Sequence, residues 1–216
     1  GISWKKSMKW SKNNLMWGRP LRSIFTIFGG KKLSFRYHHL ESTDNIIIEQ
    51  DLIRKSKKIN SFKAYFSFLK SNEIIVDQNE RQKIILKRFN SVSKLKNYKE
   101  KYNQRLLEEV INIVENPNVL LANFDKEYLK IPEEIIISTL EKHQRYFPIF
   151  DSRDRLTNNF FVVANKKDEK KLISEGNKRV VDARLSDAKF FWEKDRSKNL
   201  IKQIAHLKKI TFYEKI

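Results

Sequence analysis

Between Leu172 and Arg196 the chain sets Val181, Leu185, Ala188 and Trp192 three or four residues apart. Only a helix brings such positions onto one side, so this run predicts a long amphipathic helix whose apolar stripe must be covered by another layer. Arg184 and Asp187 flank the stripe and, with Asp182, read as an ion-pair cluster that is structural rather than catalytic. Two apolar segments precede the helix, 146-YFPIFD-151 and 159-NFFVVANK-166. The polar connection between them, with Asp151, Asp154, Thr157 and Asn158, predicts a β-hairpin.

Upstream, helices and strands alternate without a strict rhythm. Pro132 opens a predicted helix, 132-PEEIIISTLEKHQRY-146, with Glu133 and Glu134 in the first turn where the helix dipole favours acids. A strand is expected over 118-NVLLANF-124. A helix is expected over 104-QRLLEEVINIVEN-116, with Leu107, Val110, Ile111 and Val114 on one face and Pro117 as its stop. Asp77, with Glu80 three residues on, marks a capped helix start within 74-IIVDQNERQKIILKRF-89. Phe62, Tyr65, Phe66 and Leu69 predict another helix in 60-NSFKAYFSFLKS-71, and Ile46 to Ile48 a strand. Near the start, 20-PLRSIFTIF-28 reads as a short helix closed by Gly29-Gly30, followed by a strand, 32-KLSFRY-37. No internal repeat is evident. The class is α+β, mixed helices and antiparallel or mixed strands ending in a long helix. One domain is expected over 1–198, with 199–216 beginning a further helical domain.

The chemistry on offer is narrow. There is no GxxxxGK[ST] loop, no GxGxxG, no GxSxG elbow and no cysteine. His38-His39 with Glu41 lacks further ligands at metal spacing, so no metal site and no catalytic group is assigned. Glu108-Glu109 and Glu133-Glu134 read as helix surface. No apolar run approaches the roughly 18–20 residues of a membrane span, 24-IFTIF-28 being the longest candidate. A cytoplasmic location without membrane contact is therefore expected, and the start at Gly1-Ile2-Ser3 reads as a cut edge.

Charge narrows the partner. Lys and Arg number 45 against 26 Asp and Glu, a formal net charge of +19, and Gly1 to Leu40 holds no acid at all. Such a one-signed stretch suits an anionic partner, nucleic acid first and an anionic membrane face second, although abundant Lys, Asn and Ile also fit a biased composition with ordinary solvated lysines. In 141-EKHQRYFPIF-150, Gln144 and Arg145 suit phosphate or ribose. Tyr146 and Phe147 suit either an unstacked base or the core, and His143 either a contact or a helix C-terminus.

Taken together, 141-EKHQRYFPIFD-151, 160-FFVVANK-166 and 175-EGNKRVVDARLSDAKFFWEKD-195 resemble the β subunit of bacterial heterotetrameric glycyl-tRNA synthetase. That family carries HQ-[KR]-YFP, F-x-x-V-x-N and EGN-x-RV-x-x-ARLSDA-x-FF-x-x-D. The segments 8-MKW-10, 19-RPLRSIFTIFGGKKLSF-35 and 75-IVDQNERQKII-85 extend the likeness over almost the whole chain. It departs between Arg36 and Ile48, where Tyr37-His38-His39-Leu40 stands in place of a longer segment with TxGHRF, and at Ser23, where the family usually has Trp.

The resemblance implies part of an α2β2 ligase that joins glycine to its tRNA. ATP, with Mg, would be used by the holoenzyme in the α subunit and not bound by this piece. A remoter likeness to the editing-type domain of phenylalanyl-tRNA synthetase comes without an editing nucleophile or base. Expected partners are glycine tRNA, the α subunit and the remaining β-subunit domains. The expected tRNA contacts are Lys9, Arg19, Arg22, His143, Gln144, Arg145, Tyr146 and Arg179, with Asn165, Asn177, Arg184 and Asp187 as structural motif residues. The alternative is an interaction scaffold for the α subunit or other β domains, without RNA contact.

Overall fold

The computed structural model describes residues 6–10, 12, 14–50, 53–99, 101–198 and 201. Chain contacts divide it into two compact units, Gly1–Val76 and Asp77–Ile216. The expected helical continuation at 199–216 lies, Ile201 apart, outside the described residues.

The first unit is mostly short strands. β1 (Met8–Lys9) pairs antiparallel with β2 (Met16–Trp17). β3 (Ile24–Phe25) is followed by a tight hairpin, β4 (Ile27–Phe28) with β5 (Lys31–Lys32). β6 (Arg36–Tyr37) pairs antiparallel with β7 (Leu40–Thr43), which also takes β3 in parallel. β8 (Asn45–Gln50) and β9 (Ile53–Lys58) form a ribbon, and α1 (Phe62–Ser71) closes the unit.

The helix expected over 20–28 is therefore a strand and half a hairpin. Its cause is Gly29-Gly30, whose φ values of 55° and 79° make a two-residue hairpin turn rather than a helix cap. The strand expected over 32–37 is interrupted, because residues 33–35 leave the ladder between β5 and β6. The Ile46 to Ile48 strand and the 62–71 helix form as predicted, the latter N-capped by Ser61 Oγ on the Ala64 N–H at 3.2 Å. Its buried stripe is rotated from the expected one: Phe68 and Leu69 join Ile46, Ile48 and Ile59 in the core, whereas Phe62 is 79% exposed.

The second unit is a three-layer sandwich. It contains α2 (Gln78–Lys96), β10 (Tyr98–Lys99), α3 (Gln104–Ile113), β11 (Asn118–Asn123) and a 3-10 turn (Lys126–Lys130). Then come α4 (Glu133–Ser138), a π-turn (Thr139–Gln144), β12 (Phe147–Asp151), β13 (Leu156–Ala164) and α5 (Leu172–Arg196). Asp77 caps α2 as predicted, and the expected 146–166 hairpin forms as β12 and β13. The sheet order is β10-β12-β13-β11, antiparallel throughout.

Because side chains alternate along a strand, β13 feeds both faces. Phe161 joins Phe147, Ile149 and the α2–α3 residues Ile85, Phe89, Leu107 and Val110 on one side. Phe160 and Val162 join Leu140, Tyr146, Val181 and Leu185 on the other. This explains the unbroken apolar run Phe160 to Val163: a strand covered on both faces has no need for polar alternation. Among the described residues no helix is long and apolar enough to cross a membrane.

Candidate nucleic-acid interface

The HQRYFP motif lies where a helix stops and the sheet begins. The predicted helix over 132–146 is α-helical only to Ser138, and widens to a π-turn through Gln144. Arg145 ends it in the left-handed region at φ 61°, and the Tyr146 N–H returns to the Leu140 carbonyl at 2.9 Å. That reversal sends Tyr146 inward and leaves Arg145 outside.

Tyr146 is buried, its ring stacked on Phe160 at 5.2 Å between centroids. Its hydroxyl donates to Asn177 Oδ1, and Asn177 Nδ2 donates to the Ile173 carbonyl at 2.6 Å. Burial pushes the Tyr146 phenol above its usual pKa, which keeps it a donor. Phe147 is 1% exposed. Neither ring offers a free face to a base: the expectation of stacking at Tyr146 is corrected to a core and clasp role, because the strand after the motif is sandwiched.

Arg145 is half exposed and its Nε donates to Glu109 Oε1 at 2.6 Å, while another guanidinium nitrogen donates to the Lys142 carbonyl. Glu109, read from sequence as plain helix surface, is thus the partner of the motif arginine. Beside them lies an open hollow of about 240 Å³ lined by Asn103, Arg105, Leu106, Glu109, Glu141, Lys142 and Arg145. A surface ion pair of this exposure is worth at most about 1 kcal/mol, so a phosphate can compete for the guanidinium.

The other expected residues divide by unit. His143 is exposed and Gln144 half-buried on the π-turn, and Arg179 is exposed on α5. Lys9 and Arg19 are exposed in the first unit, and Arg22 pairs there with Glu49. Asn165 ties loops together, its Oδ1 accepting the N–H groups of Glu115 and Asn116 at 2.8 and 3.2 Å. The expected Asp182–Arg184–Asp187 cluster does not form. Asp182 instead takes Lys178 at 2.6 Å and the Asp125 N–H at 2.9 Å, while Arg184 and Asp187 sit on the exposed side of α5. That side turns away from the Val181–Leu185 stripe, and among the described residues Arg184 forms no ion pair with either aspartate. The hydrogen bond to Asp182 raises the Lys178 pKa.

Sequence reasoning missed Asp168. Its two carboxylate oxygens accept the N–H groups of Ile173 and Ser174, each at 2.8 Å, capping α5 from four residues before the helix starts. Burial alone would raise this carboxyl, but the bonds from Ser174 and Ile173 hold it below its ordinary pKa. Among the described residues no group of three or more His, Asp or Glu side chains could hold a metal ion.

All of residues 1–216 match the family described as glycyl-tRNA synthetase beta subunit. The chain is 36% identical over 211 residues to the glycine–tRNA ligase beta subunit of Listeria welshimeri, with 97% of this chain and 30% of that protein covered. It is 36% identical over 216 residues to the beta subunit of Dictyoglomus thermophilum, with 100% and 31% covered. For Syntrophomonas wolfei the identity is 35% over 216 residues, again with 100% and 31% covered. The chain thus spans about 30% of the length of the curated relatives it matches.

Proposed function

This chain belongs to the glycyl-tRNA synthetase beta subunit family, and from that premise we propose that it is a tRNA-gripping part of glycine–tRNA ligase. Family membership is the observation that carries the reading. In it, the α subunit attaches glycine using ATP and magnesium, and this piece holds tRNA in the cytoplasm without binding those cofactors itself. The remaining β-subunit domains are its other partners. The net charge of +19 supports the reading, and so does an Arg145 guanidinium held outward at a helix end.

The test is fluorescence anisotropy of the purified chain with glycine tRNA and an unrelated tRNA across a salt series. We expect log affinity to fall linearly with log salt, at about 0.9 per phosphate contacted. Arg145→Ala should weaken binding several-fold without lowering the melting temperature, since the pair it loses is exposed. Unchanged affinity would remove Arg145 from the contact set. A folded chain that fails to bind at low salt would overturn the grip.

A second reading, a docking scaffold, is favoured by one observation. Outside its buried stripe, α5 exposes Val180 at 43% and Phe190 and Phe191 at 59% each. If this face docks the α subunit or another β-subunit domain, Phe190→Ser with Phe191→Ser lowers co-sedimentation with the assembly and leaves RNA affinity intact.

A further inference from the structure

The first unit carries two hairpin tips of the same unusual make. At the first, Phe28 is 80% exposed and stands opposite Lys31 in the β4–β5 register, with Ile27 opposite Lys32. At the second, Tyr37 is 43% exposed, its ring edge-on to His38 at 4.8 Å, beside Arg36. Phe35, 42% exposed, precedes it. Among the described residues no carboxylate pairs with Lys31, Lys32 or Arg36, although Arg22, Arg54 and Lys58 of the same unit all have acid partners.

The tips share a single anchor. The Leu33 carbonyl accepts from Thr26 Oγ1 at 2.9 Å and from Ser42 Oγ at 2.8 Å, and the buried Ser42 also takes the Phe35 N–H at 2.9 Å. Thr26 precedes the first hairpin and Ser42 follows the second turn, so one polar hub fixes both.

We propose that these hairpins form a platform for unpaired RNA nucleotides, with Phe28 and Tyr37 stacking on bases and Lys31, Lys32 and Arg36 meeting phosphates. Two features favour RNA over a protein groove-filler. Each tip sets an exposed ring next to a cation without a carboxylate partner, Lys31 opposite Phe28 and Arg36 adjacent to Tyr37 with its Nε on the His38 carbonyl, the combination that single strands require and an apolar helix does not. The rings also stand at separate turn tips rather than in one continuous apolar groove. A duplex is excluded by the same logic, since its bases are not free to stack. The assignment rests on the tRNA reading only for the source of the strand.

The test titrates the purified chain into a labelled short oligouridylate, a blunt RNA duplex of equal length, and glycine tRNA. Phe28→Ala and Tyr37→Ala are compared singly and together, and circular dichroism verifies the fold. We expect preference for the single strand, and a loss of about 5- to 150-fold for each ring removed. Lys31→Gln and Lys32→Gln should each lower the salt slope by about 0.7. Equal affinity for duplex and single strand, or unchanged affinity in the double aromatic variant, overturns the platform. Binding of tRNA without binding of oligouridylate also overturns it, and leaves the tRNA grip standing. Loss of oligouridylate with tRNA affinity intact upholds it and puts the tRNA contacts elsewhere on the chain.

Discussion

Tyr146 spends its ring on the core and its hydroxyl on one acceptor, and the two demands fix it from opposite sides. Removing only the hydroxyl separates them. Tyr146→Phe keeps the stack on Phe160 but removes the donor to the half-buried Asn177 Oδ1, a loss of about 0.5–1.5 kcal/mol for one hydrogen bond. Urea denaturation should show that loss while tRNA affinity stays unchanged. A variant as stable as the parent would mean that water replaces the hydroxyl. The sequence left this tyrosine open between base stacking and core for a physical reason. Adjacent side chains on a strand point to opposite faces, and one strand does not reveal whether both faces are covered. Arg145 was equally opaque: an arginine rarely takes φ near 61°, and its partner Glu109 is 36 residues away.

The α5 helix was legible to its ends, because a stripe held over 25 residues has no competing period. Its cap was not. Asp168 stands outside the helix, and only the backbone turn at Lys171, with φ 56°, brings its carboxylate under the first turn. The folded-state pKa of Asp168 is depressed, so its stabilisation is present above the unfolded value of about 4 and lost as pH falls through the folded one. Asp151, hydrogen-bonded by Arg155, and Asp154, by Lys99 and Lys101, add stability of the same sign. Asp168→Asn should therefore melt lower than the parent at neutral pH, and the gap should close below about pH 4. A gap that persists in acid would mean the carboxylate charge is not what caps the helix. The opposite failure came at 20–28, where a proline followed by two glycines fits a helix and its cap as well as it fits a strand and its turn. Only the flanking cations and the β-branched Ile24, Thr26 and Ile27 argued for the latter.

At the scale of the molecule each unit owns its core: Ile46, Ile59 and Phe68 in the first, two clusters about one sheet in the second. Phe160, fully buried against Phe124 and Tyr146, should on substitution by alanine cost the second unit about 3–5 kcal/mol. Hydrogen exchange is expected to quicken in β12 and β13 and to stay unchanged in β8 and β9. Equal loss of protection in both would show that the units unfold together. The strand order of the sheet also bears on synthesis. Its two central strands, β12 and β13, are the last to be made, after both edge strands β10 and β11. At about 5–20 residues per second, the ribosome adds the stretch from Asn123 to Ala164 in roughly 2–8 s. Until β13 is complete, the apolar sides of α2, α3 and β11 lack the central strands that cover them in the finished sheet, so the nascent second unit is a natural client for a co-translational chaperone.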